Sequence, residues 1–205
     1  MVSILVVRHG QTAWSLSGQH TGATDVPLTA EGEAQARALA PVLAGRRTCL
    51  VLSSPRTRAR RTAELAGLAD AAPLQLDDDL AEWDYGGYEG RTTAQISEEL
   101  GRPWSVWHDG VVPGDTPGET VQQVAVRART VLDRAATAVR EAGGDDAADV
   151  VLIAHGHFLR VLAACWLGLS PTAGALFALD AGTWSELGHE HGRPVLRRWN
   201  VPAAL

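Results

Sequence analysis

Three short polar segments, each placed shortly after an apolar run, contain residues that could handle a phosphate group. The candidate residues in these segments are two arginines and two histidines, namely Arg8, His9, Arg58 and His155. A guanidinium group stays charged and matches phosphate oxygens with paired hydrogen bonds. A neutral imidazole can act as a nucleophile and form a covalent intermediate. Because phosphoryl transfer depends mainly on positioning and charge stabilisation, these residue types predict such a reaction without a metal ion.

A histidine nucleophile needs an acid that protonates the leaving oxygen, and Glu82 is the candidate. It is surrounded in sequence by apolar and aromatic residues, including Trp83 and Tyr85. Such neighbours disfavour the charged carboxylate, so we expect a carboxyl group that is partly protonated and can donate. Gly10 and Gly156, which follow the two histidines, let the backbone approach a bound group closely.

The elements that must bring these residues together are three apolar runs, at 4–7, 48–53 and 149–154. Runs without polar alternation, separated by amphipathic stretches, are typical of parallel strands that are buried on both faces. They predict an α/β fold, a three-layer α/β/α sandwich with a mostly parallel central sheet. Ligands bind beyond the carboxyl ends of such strands, which is where the polar segments lie.

Capping signals and apolar stripes at helical spacing predict the helices. Three helices are predicted at 29–44, 92–100 and 157–167. A fourth is capped by Ser54 and runs to about 67, and a fifth, long helix starts in a capping box at 116–119 and ends at 143–144. Short extended pieces are predicted at 74–76 and 80–82, and late strands at 175–179, 184–187 and 195–199. No internal repeat or linker interrupts the chain, so we expect one domain over residues 1–205.

Composition narrows the classes of partner. The chain has 205 residues, 45% hydrophobic and 20% charged, with a net charge of -6, and all 18 basic residues are arginine. An acidic chain of this kind disfavours nucleic acid or a membrane surface as a partner. The two cysteines form no disulfide framework, no apolar run reaches the length of a membrane span, and the first residues do not read as a secretion signal. We therefore expect a cytoplasmic protein.

The motifs together resemble those of the histidine phosphatase superfamily, whose best-known branch is the cofactor-dependent phosphoglycerate mutases. The resemblance covers nearly the whole chain. It is carried by Arg8-His9-Gly10-Gln11-Thr12, by Thr21-Gly22, by Ser53-Ser54-Pro55 with Arg58-Ala59, by Glu82 with Gly86 and Glu89-Gly90, and by His155-Gly156.

The resemblance implies a role for each matching residue. His9 is the phosphorylated nucleophile, Glu82 is the proton donor, and the phosphoryl group is held by Arg8, Arg58 and His155. The substrate-binding residues that it implies are Gln11, Ser15, Thr21, Gly22, Tyr85 and Gly156. It further implies a phosphoglycerate mutase-like fold, a small-molecule phosphate ester as the partner, no cofactor and no metal, while a homodimer stays open.

The residues around Glu82 resemble a phosphatase branch more than the mutases. Mutases have an arginine after this glutamate and use a lysine in substrate recognition, whereas this chain has Trp83-Asp84-Tyr85 and no lysine. We expect Asp84 to repel a substrate carboxylate. The similar branch includes a sedoheptulose bisphosphatase and acid phosphatases. The predicted function is hydrolysis of small phosphorylated metabolites, such as sugar phosphates, through a phosphohistidine, with phosphoglycerate mutase as the alternative.

Residue types in this sequence also suggest two other functions. The pairs His155/His157 and His189/His191 have a spacing that could bind a metal, but no carboxylate or thiolate cluster accompanies the first pair. A non-catalytic polyanion-binding module is suggested by the arginine-rich run at 56–61. The net charge and the intact set of catalytic residue types count against this module.

Overall fold

The computed structural model describes residues 3–68, 72, 74–143 and 148–203, and a six-stranded sheet forms its centre. The strands are β1 (Ile4–Arg8), β2 (Thr48–Ser53), β3 (Leu74–Leu76), β4 (Asp149–Ala154), β5 (Thr183–Glu190) and β6 (Arg193–Pro202). Their order across the sheet is β3-β2-β4-β1-β5-β6. Strands β1 to β4 run parallel, whereas β5 pairs antiparallel with β1 and β6 antiparallel with β5.

Helices connect the strands and lie on both sides of the sheet. The α-helices are α1 (Ala13–Ser17), α2 (Ala30–Ala38), α3 (Ala40–Leu43), α4 (Thr57–Leu65), α5 (Thr93–Leu100), α6 (Val106–Asp109), α7 (Val121–Glu141) and α8 (Gly156–Trp166). Short 3₁₀ helices occur at Asp78–Leu80, Gly86–Tyr88 and Pro171–Leu176. Among the described helices, none has both the length and the apolar character needed to cross a membrane.

Both faces of the central strands are covered, which explains their unbroken apolar sequences. Ile4 and Val6 of β1 belong to a core cluster that includes side chains of α7 and α8. Leu5 and Val7 point the other way, into a cluster that includes side chains of α3 and α4. A parallel strand with helices on both faces has no solvent-facing side, so alternation with polar residues is lost. The predicted α/β sandwich is confirmed.

Most predicted elements are present with small shifts in their bounds. The helices expected at 92–100 and 157–167 correspond to α5 and α8, and the late strands at 184–187 and 195–199 are the centres of longer strands. The helix expected at 29–44 is divided into α2 and α3 at Leu39.

Two predicted strands are wrong. Residues 175–179 overlap the 3₁₀ helix Pro171–Leu176, and residues 80–82 begin at the last residue of the 3₁₀ helix Asp78–Leu80. Both are short apolar runs, and periodicity over so few residues does not distinguish a strand from a buried turn.

The cap predicted for α4 at Ser54 is also wrong, because Ser54 belongs to the edge of the sheet. Its N–H donates to the carbonyl of Ile153 at 2.9 Å, which continues the ladder between β2 and β4. Its hydroxyl bonds to the ring of His155 at 2.7 Å. The helix therefore begins later, at Thr57, with Arg56 in the N-cap position.

The predicted start of the longest helix at 116–119 is displaced as well. Helix α7 begins at Val121, with Thr120 as its N-cap residue and Gln123 completing the capping box. In this segment the hydroxyl of Thr116 and the N–H of Gly118 instead donate hydrogen bonds to the carboxylate of Asp84. The glycine of this segment has a φ of +75°, which is outside the α-helical range.

The carboxyl ends of β1, β2 and β4 meet at one edge of the sheet. The N–H of His9, just past β1, donates to the carbonyl of Ala154 at the end of β4 at 3.1 Å. Because these strands are parallel neighbours, the residues that follow each of them emerge side by side. This edge is where the polar segments of the sequence come together.

Glycines allow the segment after β1 to pack against α2. A Cβ atom on Gly10 would lie 2.2 Å from the carbonyl oxygen of Gly32, and one on Gly32 would lie 2.1 Å from the carbonyl oxygen of Gln11. Only residues without a side chain fit at such a close approach of two backbones. The position of His9 is therefore fixed by backbone packing on the side of α2.

Candidate active site

The centre of the site is the imidazole of His9, which is 5% exposed. Its Nδ1 lies 2.7 Å from the carbonyl oxygen of Gly10. A carbonyl oxygen can only accept, so Nδ1 carries the proton and Nε2 keeps its lone pair. Burial lowers the pKa of His9 well below 6.5, and the charges of Arg58 and Arg8 lower this pKa further. The ring is therefore neutral, and it presents a nucleophilic nitrogen.

A second imidazole, that of His155, lies beside the first and is fully buried. The centroids of the His9 and His155 rings are 5.1 Å apart. The Nε–H of Arg58 donates to Nδ1 of His155 at 3.2 Å, so Nε2 carries the proton and donates to the hydroxyl of Ser54 at 2.7 Å. Burial lowers the pKa of His155 well below 6.5, and Arg58 and His9 add to this effect. Both neighbouring rings are thus uncharged.

Arg58 is buried completely, and backbone carbonyls hold its guanidinium group. Nη1 donates to the carbonyl of Thr24 at 2.9 Å, and Nη2 donates to those of Thr21 at 3.0 Å and Gly22 at 3.3 Å. Burial lowers the pKa of Arg58, an effect that the charges of Glu82 and other groups oppose. The carboxylate of Asp25 pairs with Nη1 at the longer distance of 4.0 Å, so the closest partners of this positive charge are backbone carbonyls.

Arg8 carries a buried donor that has no partner. Its Nη1 donates to the carbonyl of Leu179, but its Nε is buried without a hydrogen-bond partner among the described atoms. A Cβ atom on Gly156 would lie 3.2 Å from the Cζ of Arg8, so the glycine leaves room for the guanidinium group. Burial lowers the pKa of Arg8, and the charge of Glu82 opposes the shift. An unpaired buried donor of this kind favours an anionic ligand.

Glu82 is 8% exposed and lies at the N-terminus of α8. Its Oε1 accepts hydrogen bonds from the N–H groups of Trp83 at 2.9 Å and Phe158 at 2.8 Å, and its Oε2 accepts one from His157 at 3.1 Å. The sequence analysis expected only apolar and aromatic neighbours around Glu82. The structure adds three backbone N–H groups that donate to its carboxyl group. These donors fix its position, and Oε2, with one donor only, keeps a lone pair for a proton.

Three of these groups, Arg8, His9 and Glu82, line a cavity of about 280 Å³. Seven of the predicted site residues contribute to its wall, namely Arg8, His9, Ser15, Thr21, Glu82, Tyr85 and Gly156. Four others do not line it, namely Gln11, Gly22, Arg58 and His155. The side chain of Gln11 accepts a hydrogen bond from the hydroxyl of Thr29, and the N–H of Gly22 donates to Glu89. The catalytic and binding roles of all these residues stay predictions.

The sequence analysis did not identify several residues of the cavity wall as binding residues. They are Gly18, Gln19, His20, Thr93, His157, Arg160 and Leu179. For His157 the sequence suggested a metal ligand and not a substrate contact. Its Nδ1 lies 2.7 Å from the hydroxyl of Tyr85, and burial lowers its pKa well below 6.5. Arg160 stands four positions after Gly156, one helical turn along α8, and this spacing on the same face is the signal that could have identified it.

Neutral imidazoles also form the far wall of the cavity. Burial lowers the pKa of His20 to about 4, and the ring of His20 lies 5.8 Å from that of His157. In the described part of the chain, no group of three or more His, Cys, Asp or Glu residues has the arrangement of a metal site. His189 and His191 are exposed.

Asp84 does not line the cavity. Its carboxylate accepts hydrogen bonds from the N–H groups of Gly86 at 3.0 Å and Gly118 at 3.1 Å and from the hydroxyl of Thr116. The carboxylate is used to hold the segment before α7. The expected repulsion of a substrate carboxylate by Asp84 therefore has no basis in the structure.

The fold and the strand-end site are those of an α/β protein suited to phosphoryl transfer. The family model of the histidine phosphatase superfamily (branch 1) matches residues 4–202, and the chain belongs to this superfamily. The resemblance seen in the sequence is confirmed.

Known relatives agree with this assignment. The chain is 39% identical over 186 residues to a sedoheptulose 1,7-bisphosphatase of Saccharomyces cerevisiae, over 80% of this chain and 67% of the relative. It is 41% identical over 192 residues to an acid phosphatase of Mycobacterium tuberculosis, over 92% of this chain and 87% of the relative. A solved structure of a mycobacterial glucosyl-3-phosphoglycerate phosphatase with VO3 matches with a TM-score of 0.85 and 31% identity, over 98% of this chain and 100% of that chain. The predicted enzyme class, a hydrolase of phosphoric monoesters, is confirmed.

The lowered pKa values of the buried histidines predict how the protein responds to acid. Native His9 and His155 should stay neutral as the pH falls through 6.5, because their pKa values lie well below it, whereas imidazoles of the chain unfolded in urea should protonate near pH 6.5. Because the unfolded state then binds protons that the native state does not, the free energy of unfolding should fall as the pH drops below about 6.5. Nitrogen NMR of the rings and urea titrations at several pH values measure both effects. Protonation of either native ring near pH 6.5 would contradict the structure.

Proposed function

We propose that the chain hydrolyses phosphate monoesters of small metabolites, such as sugar phosphates, through a phosphohistidine at His9. The observation that carries this proposal is the free Nε2 lone pair of a neutral His9 beside the unpartnered buried Nε–H of Arg8 in one cavity. The first group can attack phosphorus, and the second can hold a phosphoryl oxygen. Membership of the histidine phosphatase superfamily supports the same reaction.

In the first step, Nε2 of His9 attacks the phosphorus atom. A nitrogen–phosphorus bond forms, the bond from phosphorus to the ester oxygen breaks, and that oxygen takes a proton from Glu82 and leaves as an alcohol. In the second step, a water molecule attacks the phosphorus atom while the Glu82 carboxylate takes a proton from that water. An oxygen–phosphorus bond forms, and the bond from phosphorus to Nε2 of His9 breaks. Inorganic phosphate leaves, and His9 and the protonated Glu82 are restored.

Charge on the phosphoryl oxygens is stabilised by the guanidinium groups of Arg8 and Arg58. They are fixed before substrate binds and lie in surroundings of low polarity, where their effect on a transition state is large. His155, bonded to Arg58, completes the set that holds the phosphoryl group. Because these residues supply the positive charge, the proposed reaction needs neither a metal nor another cofactor.

Arg160 supports a narrower substrate class. Its Nε donates to the carbonyl of Gly174 at 2.9 Å, its Nη2 donates to that of Ala175 at 3.1 Å, and its Cζ lies 4.7 Å from the centroid of the Trp107 ring. Its Nη1 makes no hydrogen bond, and no carboxylate pairs with this cation in the described part of the chain. A rigid, half-buried cation on the cavity wall favours a substrate with a second anionic group, a phosphate or a carboxylate.

The names of two relatives support this class. One relative is a bisphosphatase, and another is a phosphatase of glucosyl-3-phosphoglycerate.

The mutase alternative uses the same phosphohistidine but returns the phosphoryl group to a substrate instead of water. Assays of 3-phosphoglycerate with and without 2,3-bisphosphoglycerate distinguish the two reactions.

The polyanion-binding alternative receives no support from the arginine run. Arg58 is buried, Arg60 is exposed, and Arg61 pairs with the carboxylates of Glu33 and Glu64. The four arginines therefore form no continuous basic surface of the kind that binds a polyanion.

The proposed enzyme acts as one domain over residues 1–205, in the cytoplasm. The family match over 4–202 supports one domain, and the free thiols of Cys49 and Cys165 suit a reducing compartment. A homodimer stays an open prediction, which light scattering of the purified protein measures.

Replacement of the nucleophile tests the reaction directly. Rapid acid-free quenching of the wild-type protein with labelled substrate should trap a phosphoenzyme that is labile in acid and stable in base. His9→Ala should trap none and lose several orders of magnitude in kcat, where each tenfold step is about 1.4 kcal/mol of barrier. His191→Ala, at an exposed position, is the matched control and should keep full activity. Undiminished turnover by His9→Ala would disprove the mechanism.

Glu82→Gln separates proton donation from phosphoryl binding. An alkyl alcohol leaves poorly without a proton, whereas p-nitrophenolate leaves well. The variant should therefore lose about 100- to 10,000-fold in the phosphorylation rate with glycerol phosphate and much less with p-nitrophenyl phosphate. Single-turnover kinetics with both substrates measure the difference. Equal losses in a stably folded variant would assign Glu82 a structural role.

Arg160→Met tests the second anionic group. The KM for a sugar bisphosphate should rise by about tenfold to a hundredfold, as expected when a charged hydrogen bond is lost. The KM for p-nitrophenyl phosphate, which lacks a second anionic group, should change by less than about threefold. Arg60→Met removes an exposed arginine and should change neither. A proportional rise for both substrates would contradict the assignment.

A further inference from the structure

Residues 21–25 form a loop, here called the 21–25 loop, that is held by a carboxylate on one side. Glu89 accepts the N–H of Gly22 with both oxygens, at 3.0 and 2.9 Å, and the N–H of Thr24 with Oε1 at 3.0 Å. In the described part of the chain, Glu89 forms no ion pair with an arginine. The negative charge of Glu89 therefore interacts mainly with the backbone N–H groups of this loop.

The same loop is held by a guanidinium group on the other side. Its backbone carbonyls accept the three hydrogen bonds from Nη1 and Nη2 of Arg58. The Nε of Arg58 donates to His155 at 3.2 Å, and its charge lowers the pKa of His9, so this arginine acts on both histidines of the site. The orientation of this guanidinium group depends on where the loop carbonyls point.

One peptide unit connects the two charges. The carbonyl of Thr21 and the N–H of Gly22 belong to the same amide, and the first accepts from Arg58 while the second donates to Glu89. The Glu89 carboxylate, the amide between Thr21 and Gly22, and the Arg58 guanidinium group therefore form one chain of hydrogen bonds. Hydrogen bonds in such a chain polarise one another, and charged partners strengthen them.

Close packing leaves this amide little freedom. A Cβ atom on Gly22 would lie 2.5 Å from the carbonyl oxygen of Trp83 and 2.9 Å from Oε2 of Glu89. The end of the loop is fixed as well, because the carboxylate of Asp25 accepts from the N–H of Thr57 at 2.9 Å and from its hydroxyl at 2.6 Å. Thr57 and Arg58 are neighbours at the start of α4.

We infer that Glu89 is a positioning residue, which orients the guanidinium group of Arg58 toward a phosphoryl group at His9 through the 21–25 loop. The inference deepens the proposed function and rests on it. Glu89 touches neither the substrate nor the reacting atoms. Loss of its charge should weaken the hold on the loop carbonyls and so weaken phosphate binding, whatever the leaving group is.

The variant Glu89→Gln keeps the shape of the side chain and removes its charge. We expect the inhibition constant of inorganic phosphate to rise about tenfold. The value of kcat/KM should fall by a similar factor for glycerol phosphate and for p-nitrophenyl phosphate. Glu98→Gln, at an exposed position on α5, is the matched control and should change none of these. Thermal unfolding confirms that each variant is folded.

A double-mutant cycle distinguishes positioning from a general structural role. In the background Arg58→Met, the further change Glu89→Gln should alter the inhibition constant of phosphate by less than about threefold, because the group on which it acts is gone. An equal effect with and without Arg58, or no effect of Glu89→Gln on phosphate inhibition, would overturn the inference. If Glu89→Gln fails to fold, Glu89→Asp keeps the charge at a shorter reach and should show the same coupling to Arg58 at smaller size.

Phosphate binding also separates this inference from the proposed function. Inorganic phosphate occupies the site without turnover, so the cycle reports on Arg58 and Glu89 alone. The proposed function fails if wild-type protein forms no phosphohistidine. The inference fails if the cycle shows no coupling while phosphohistidine forms normally.

Discussion

The site depends on one constraint, which is that the buried Arg58 and the half-buried Arg8 are held mainly by backbone carbonyls, because the Asp25 carboxylate that pairs with Arg58 lies 4.0 Å away. Backbone carbonyls hold Arg58, one carbonyl holds Arg8, and a buried Nε–H of Arg8 has no partner. Desolvated cations of this kind are costly unless something compensates them. Burial lowers the pKa of His9, and these two positive charges lower it further, so the imidazole stays neutral. Burying these positive charges destabilises the empty site, and for the same reason the site favours binding of an anion.

The rest of the fold supplies the carbonyls and the space that this arrangement requires. The parallel strands place His9 and His155 side by side, with their ring centroids 5.1 Å apart. Gly156 leaves room for the guanidinium group of Arg8, and Gly10 allows the segment after β1 to touch α2. Each glycine is needed for a specific close approach. A side chain at either position would move one of the charged groups or the nucleophile.

Three carboxylates within one short segment have different roles. The role of each depends on which N–H groups donate hydrogen bonds to it. Glu82 accepts from the N-terminus of α8 and faces the cavity. Asp84 accepts from Gly86 and Gly118 and holds the chain before α7. Glu89 accepts from the 21–25 loop. All three are acidic residues in irregular backbone, so their sequence context alone does not separate the catalytic candidate from the two that shape the site.

The sequence by itself determined the elements whose signals are local. The apolar runs of β1, β2 and β4 identify strands buried on both faces, and the polar residues after them identify the site, because parallel strands end at one edge. Tertiary structure alone decided where Asp84 points, where α7 begins and that Arg160 reaches the cavity. The physical reason is that hydrogen bonds between distant segments decide these features. The carboxylate of Asp84 binds residues more than thirty positions away, and this outweighs the local helix-start signal at 116–119.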